Sequence, residues 1–211
     1  MKTLAASLLA AVIGTAAYAG ENVTYKVDGT DYEGYFAKAE GASKGLVLIV
    51  HDWDGLDAYE QKRAEMLSKM GYDAFAVDLF GKGNRPETVE KRRAETGKLY
   101  KDRDRMRSLL LGGLAEAQKQ SSGDTVVIGY CFGGAAALEL ARSGKASKVV
   151  GYSTFHGGLA TPQGQSYNPT RLVISLTAAS TPAKPPFSSL RPTTDISTCL
   201  GSPRRVTIFR G

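Results

Sequence analysis

Cys131 stands between Gly129 and Gly133, after the β-branched run Thr125-Val126-Val127-Ile128 and before Ala-rich helical sequence. A strand that turns sharply into a helix needs residues without side chains two places either side of the turning residue. That is the nucleophile-elbow spacing, with cysteine in place of serine. The corner exposes a thiol at a helix N-terminus, where backbone N–H dipoles favour the thiolate, the reactive form of sulfur. The chemistry this would serve is covalent acyl transfer: sulfur attacks a carbonyl and water later releases the acyl group. Glycines also flank buried cysteines for packing reasons, so an inert core cysteine is the competing reading. The predicted strand before Cys131 and the helix after it favour the elbow.

The elements that must hold this corner are legible around it. Residues 23–27 and 32–37 alternate around Asp28-Gly29 and read as a hairpin. Leu46-Val47-Leu48-Ile49-Val50 is a continuous aliphatic run, typical of a strand buried on both faces of a parallel sheet. A helix is expected over residues 60–70, with Gly71 as its C-terminal stop. Residues 72–77 form the next strand, and residues 87–120 are charged and mostly helical, with Met106, Leu109, Leu110 and Leu114 as an apolar stripe. Residues 148–155 give a further strand. Strand and helix alternate, so the class is α/β with a mostly parallel sheet flanked by helices. No internal repeat or transmembrane helix is expected.

Ligands of open parallel sheets bind at the carboxyl ends of the strands. Cys131 lies at one such end and His51-Asp52-Trp53-Asp54-Gly55-Leu56 at another. Asp78-Leu79-Phe80-Gly81-Lys82-Gly83 and Phe155-His156-Gly157-Gly158 lie at two more, so four loops would surround one cleft. Lys82 and Arg85 are candidates for binding a substrate carboxylate, against the plainer reading of solvated loop charges.

Residues 1–19 read as a signal peptide: Lys2, an apolar run of small residues, and Ala17-Tyr18-Ala19 as an A-x-A cleavage site. The apolar run is too short for a bilayer, which takes about 20 residues. Export to a periplasm or the outside is expected, with no membrane association after cleavage. Of the two cysteines, Cys131 and Cys199, a nucleophilic Cys131 would have to stay unpaired. The net charge of +6 does not point to nucleic acid. Between Gly20 and Thr170 there are 20 basic and 20 acidic residues, while residues 171–211 hold six basic residues and one acid, Asp195. The surplus is in the tail. No metal or other cofactor is implied, because His51 and His156 lack any partner cluster with ligand spacing. A monomer acting on a small molecule is expected.

These segments resemble the dienelactone hydrolase family of the α/β-hydrolase superfamily. The family's G-x-C-x-G-G elbow is Gly129-Tyr130-Cys131-Phe132-Gly133-Gly134, and its H-E-W-x-G-L-like loop is His51-Asp52-Trp53-Asp54-Gly55-Leu56. Its G-Y…D-L-(Y/F)-G segment runs from Gly71-Tyr72 to Asp78-Leu79-Phe80-Gly81. The strand at residues 32–37 and the Phe155-His156-Gly157-Gly158 turn also look like the family's, for coverage of about residues 22–169. The resemblance implies ester or lactone hydrolysis through a Cys-His-Asp triad. Cys131 would be the nucleophile, and the backbone N–H groups of Phe132 and Trp53 the oxyanion hole. Asp52 stands where family members usually carry a glutamate that contacts the resting thiol; being one methylene shorter, it is either a loosened contact or a loop residue. His51 and His156 are expected at the substrate cleft and not as the base, which in the family comes from a loop near the C-terminus.

After residue 170 the pattern breaks. No histidine follows His156, and residues 171–211 hold five of the eight prolines, 12 Ser and Thr, and no Glu, Tyr or Trp. The domain expected over residues 20–170 is therefore incomplete, with the C-terminal strands and helix missing or disordered. One reading is a frame slip near residues 170–175. Codons permitted for residues 175–187, read one base back, can encode T-H-G-G-V-D-T-S-E-A-T-F, which resembles the family's acid turn; other strings are equally permitted. The other reading is a genuine Ser/Thr/Pro-rich tail. Two functions stay open: an exported cysteine hydrolase, weak or inactive for want of the acid and histidine, and a non-catalytic relic or binding domain that kept the cleft.

Overall fold

The computed structural model describes residues 20–160 and Gln163, together with the backbone of residues 172–178 and 204–209. The expected leader, Asp195 and Cys199 lie outside the described residues.

Strands β1 (Glu21–Val27) and β2 (Thr30–Ala37) form the expected hairpin, turning through Asp28 and Gly29, both at positive φ. Two such residues match the twist of paired strands. The aliphatic run is β3 (Leu46–Val50), buried along its whole length, and β4 (Asp73–Val77) pairs parallel to it. The elbow strand is β5 (Thr125–Tyr130), followed by β6 (Val149–Phe155), both parallel to β3. The sheet runs β1-β2-β4-β3-β5-β6 and continues into two more strands.

That continuation corrects an expectation. Past residue 170 the sheet adds β7 (Leu172–Ala178), parallel to β6, and β8 (Arg204–Phe209), antiparallel to β7. The average composition of the tail hid two local runs, Leu172-Val173-Ile174 and Val206-Thr207-Ile208-Phe209, with the aliphatic and β-branched residues that strands favour. All five tail prolines fall outside both strands.

Helix α1 (Ala58–Lys69) covers one face of the sheet. It starts earlier than its periodicity predicts, because Asp57 and Glu60 form a capping box: Asp57 accepts from Tyr59 N–H at 2.7 Å and Glu60 accepts from Asp57 N–H at 3.1 Å. The charged stretch is two helices, α2 (Val89–Lys101) and α3 (Arg103–Gln120), broken at Asp102, whose side chain caps α3 through Arg105 N–H. Helices α3 and α4 (Phe132–Ser143) cover the opposite face, where Met106, Leu110 and Leu140 are fully buried against Leu48, Phe75 and Val127. Each such side chain contributes about 1.5–3 kcal/mol of gross burial. No helix among the described residues is long and apolar enough to cross a membrane.

Candidate active site

Cys131 sits between β5 and α4 at φ 52° and ψ −113°, a backbone conformation that an L-residue holds only under constraint. The constraint is visible on both sides. Cys131 N–H donates to Phe155 O at the end of β6 (3.0 Å), and Cys131 O accepts from Ala135 N–H in the first turn of α4 (3.2 Å). A Cβ on Gly129 would lie 2.2 Å from Gly133 O, and a Cβ on Gly133 would lie 2.3 Å from Val50 O. The two glycines flank the thiol because strand, corner and helix touch there. The thiol is free and half-buried, so it is not sealed in the core.

The electrostatics differ from the expectation for a helix N-terminus. Burial pushes the Cys131 thiol above its ordinary pKa, and the charges of Asp52 and Asp54 push the same way. The Phe132 backbone N–H, which hydrogen-bonds the sulfur, opposes them and loses. Withdrawal from water and two nearby carboxylates outweigh the amide at the start of α4. The resting sulfur is therefore a thiol at neutral pH.

His51, expected at the substrate cleft, is instead completely buried. Its Nδ1 lies 2.6 Å from Asp52 O, and Leu79 N–H donates to its Nε2 at 3.2 Å. Those partners fix a neutral ring with the proton on Nδ1 and leave neither nitrogen for a ligand. Burial holds its pKa below the usual histidine value. Asp52 accepts from Asp54 N–H at 3.2 Å, shaping the turn while its charge acts on Cys131. Trp53 follows, half-buried, in the loop after β3, which lies beside β5.

Lys82 also departs from its expected place. It bonds Thr24 Oγ1 at 2.8 Å and Glu33 at 3.3 Å, on the hairpin and away from β5. Arg85 braces its own loop through Asn84 O (2.9 Å) and the buried Asp78 carboxylate (3.5 Å). Asp78 in turn accepts from Phe80, Gly81 and Glu33 N–H groups, so the loop after β4 is knotted around one buried charge. His156 is exposed at the end of β6, at φ 46°.

A wall that the sequence did not reveal is helix α2. The Arg92 guanidinium lies 5.6 Å from the centre of the Trp53 ring, and Tyr100 meets Phe132 edge-on with centroids 5.5 Å apart. Arg92, Thr96 and Tyr100 recur every four residues, so one face of α2 spans about 12 Å along the site. Thr96 is buried between them and bonds Arg92 O at 2.9 Å. Beyond Tyr100, Arg103 reaches Glu139 of α4, whose fully buried carboxylate also binds Arg107. The signal was a single acid in the apolar stretch Ala135-Ala136-Ala137-Leu138-Glu139-Leu140-Ala141. Among the described residues no cluster of three or more His, Cys, Asp or Glu could hold a metal ion.

A mostly parallel sheet covered on both faces by helices, with a strained cysteine at a strand–helix corner, defines an α/β-hydrolase-type protein. The sequence pattern of the dienelactone hydrolase family matches residues 32–182, and the chain belongs to that family. It is 27% identical over 136 residues to the carboxymethylenebutenolidase of Pseudomonas putida, a match covering 59% of this chain and 56% of the relative. The chain thus spans little more than half the length of that curated relative. Among solved structures it is similar to one described as m3DLH (TM-score 0.62, 32% identity, 67% of this chain and 60% of that one). It is also similar to a dienelactone hydrolase-like promiscuous phosphotriesterase from metagenomic libraries (TM-score 0.61, 30% identity, 66% and 59%).

Proposed function

We propose that the protein is an exported, monomeric hydrolase of small esters or lactones that works through a Cys131 acyl-enzyme, slowly or without turnover in this chain. The observation that carries this reading is the strained corner at Cys131, with the Phe132 N–H on its sulfur. In the reaction, the Cys131 thiol gives up its proton to solvent and Sγ bonds to the carbonyl carbon. The ester C–O bond then breaks as the alkoxy group leaves with a proton taken from solvent. Water then displaces the thiolate and releases the acid. The N–H groups of Phe132 and Trp53 stabilise the oxyanion of each tetrahedral intermediate. One such donor is worth about 2.7–4 kcal/mol.

Weak turnover follows from the histidines this sequence holds. His51 is buried with both ring nitrogens engaged, and His156 is exposed at a strand end. Neither arrangement matches a base bonded to the thiol. General-base help is worth about 10²–10⁴-fold, and it bears on both thiolate formation and attack by water. His156 and Arg85 remain the candidates for contact with substrate at the rim.

The test is mass spectrometry of the protein after mixing with p-nitrophenyl acetate, alongside nitrophenolate release. The expected result is one acyl group on Cys131 with a burst and little or no steady turnover. Steady turnover that vanishes in Cys131→Ser would show a working hydrolase. Release unchanged in Cys131→Ala would remove the nucleophile assignment. The relic or binding-domain reading gains if neither acylation nor turnover occurs in folded protein. Export is checked by fractionation of expressing cells and by the N-terminus of the mature chain, expected at Gly20.

A further inference from the structure

Tyr100 is the one aromatic residue of α2 and is 40% exposed, yet two residues hold it. Its ring stands edge-on to Phe132, at 87°, directly after the thiol-bearing residue. The Arg103 guanidinium lies 4.8 Å from the ring centre, and Arg103 Nε donates to Tyr100 O at 3.1 Å. One side chain thus grips both the ring and the backbone of Tyr100. Arg103 is itself fixed, because its Nη1 bonds Glu139 at 3.3 Å and that carboxylate is completely buried.

An exposed aromatic ordinarily rotates among rotamers within nanoseconds. Here a cation–π contact and a charge-assisted hydrogen bond restrain it beside the only described cysteine. Burial pushes the Tyr100 hydroxyl pKa up, and Cys131, once ionised, pushes it the same way. Tyr100 therefore stands against the residue whose backbone N–H bonds the Cys131 sulfur.

We propose that Tyr100 limits the size of the acyl group reaching Cys131, and that Arg103, anchored by the buried Glu139, is the residue that positions it. Tyr100 is the substrate-contacting member; Arg103 and Glu139 act through it. The proposal rests on the hydrolase reading for its substrate and on the geometry alone for the gate. Small acyl groups pass under the ring, and bulky ones collide with it until it swings away. Freeing Arg103 lets the ring swing.

The experiment compares Cys131 acylation by p-nitrophenyl acetate and by p-nitrophenyl benzoate, read as burst rates, and alkylation by iodoacetamide and by an N-aryl iodoacetamide. Tyr100→Ala is expected to raise the bulky-to-small rate ratio about tenfold, the range that steric fit in a pocket supports. Arg103→Ala is expected to raise it in the same direction, Arg103→Lys to restore most of the original ratio, and Glu139→Gln to follow Arg103→Ala. Circular dichroism and melting temperature identify folded variants, with Arg103→Lys and Glu139→Gln as the milder pair. A change confined to fold would slow both probes in proportion, and that outcome overturns the proposal. So does a ratio unmoved by Tyr100→Ala. If no ester acylates Cys131 while the alkylation ratio still shifts as stated, the gate stands and the hydrolase reading falls.

Discussion

Gly133 lies so close to Val50 that an added Cβ would come within 2.3 Å of the Val50 carbonyl oxygen. The first turn of α4 therefore rests on the end of β3, and the thiol corner is built from two strands and a helix in backbone contact. Gly133→Ala is expected to destabilise the protein by about 1–3 kcal/mol or more, since neither backbone can retreat without moving the sheet. Gly129→Ala, 2.2 Å from Gly133 O, should do the same. Urea melts of the two variants check this, and a change within 0.5 kcal/mol would contradict the close approach.

The raised pKa of Cys131 makes a kinetic prediction. Alkylation by iodoacetamide should reach half its maximal rate at a higher pH than it does for an unhindered cysteine. The two carboxylates Asp52 and Asp54 contribute to that rise. Asp52→Asn keeps an oxygen for the Asp54 N–H and removes the charge, so it should move the midpoint down and speed alkylation at pH 7. A midpoint that stays put would show that the Asp52 charge does not reach the sulfur.

His51 predicts a pH dependence of stability. Its folded pKa is depressed by burial, so near pH 6.5 and below the unfolded chain takes up a proton that the folded chain refuses. Stability from this group is complete above the unfolded value and drains as the pH falls through that region. One such proton sets a limiting slope of about 1.4 kcal/mol per pH unit. Thermal melts between pH 7.5 and 5 should show the loss. His51→Phe, less stable overall, should show a shallower slope over the same range.

Much of the fold was legible because its signals are local. The run Leu46–Val50 has the continuous aliphatic pattern typical of a strand buried on both faces, and it lies in the middle of the sheet. Gly129 and Gly133 marked the corner because a two-residue spacing either side of a turn has one steric use here. His51 misled because a loop histidine beside an aspartate looks the same in sequence whether it faces a ligand or the core. Only its two partners, one on the next residue and one 28 positions on, decide the matter. Tyr100 and Glu139 were hidden for a different reason. Their contacts join helices far apart in the chain; the lone acid in an apolar stretch marks Glu139 as needing a partner, but helix periodicity does not say which. The tail strands were missed because composition averaged over residues 171–211 diluted two short runs.

His51 has one more consequence. By joining Asp52 O to Leu79 N–H, a single imidazole welds two loops that leave different strands. The loop that carries Trp53 cannot shift without dragging the one that carries Phe80, and Phe80 lies against the same imidazole. Substitutions engineered around residues 78–85 would thus retune the loop that carries Trp53 from behind, as a hinge pin moves a door it never meets.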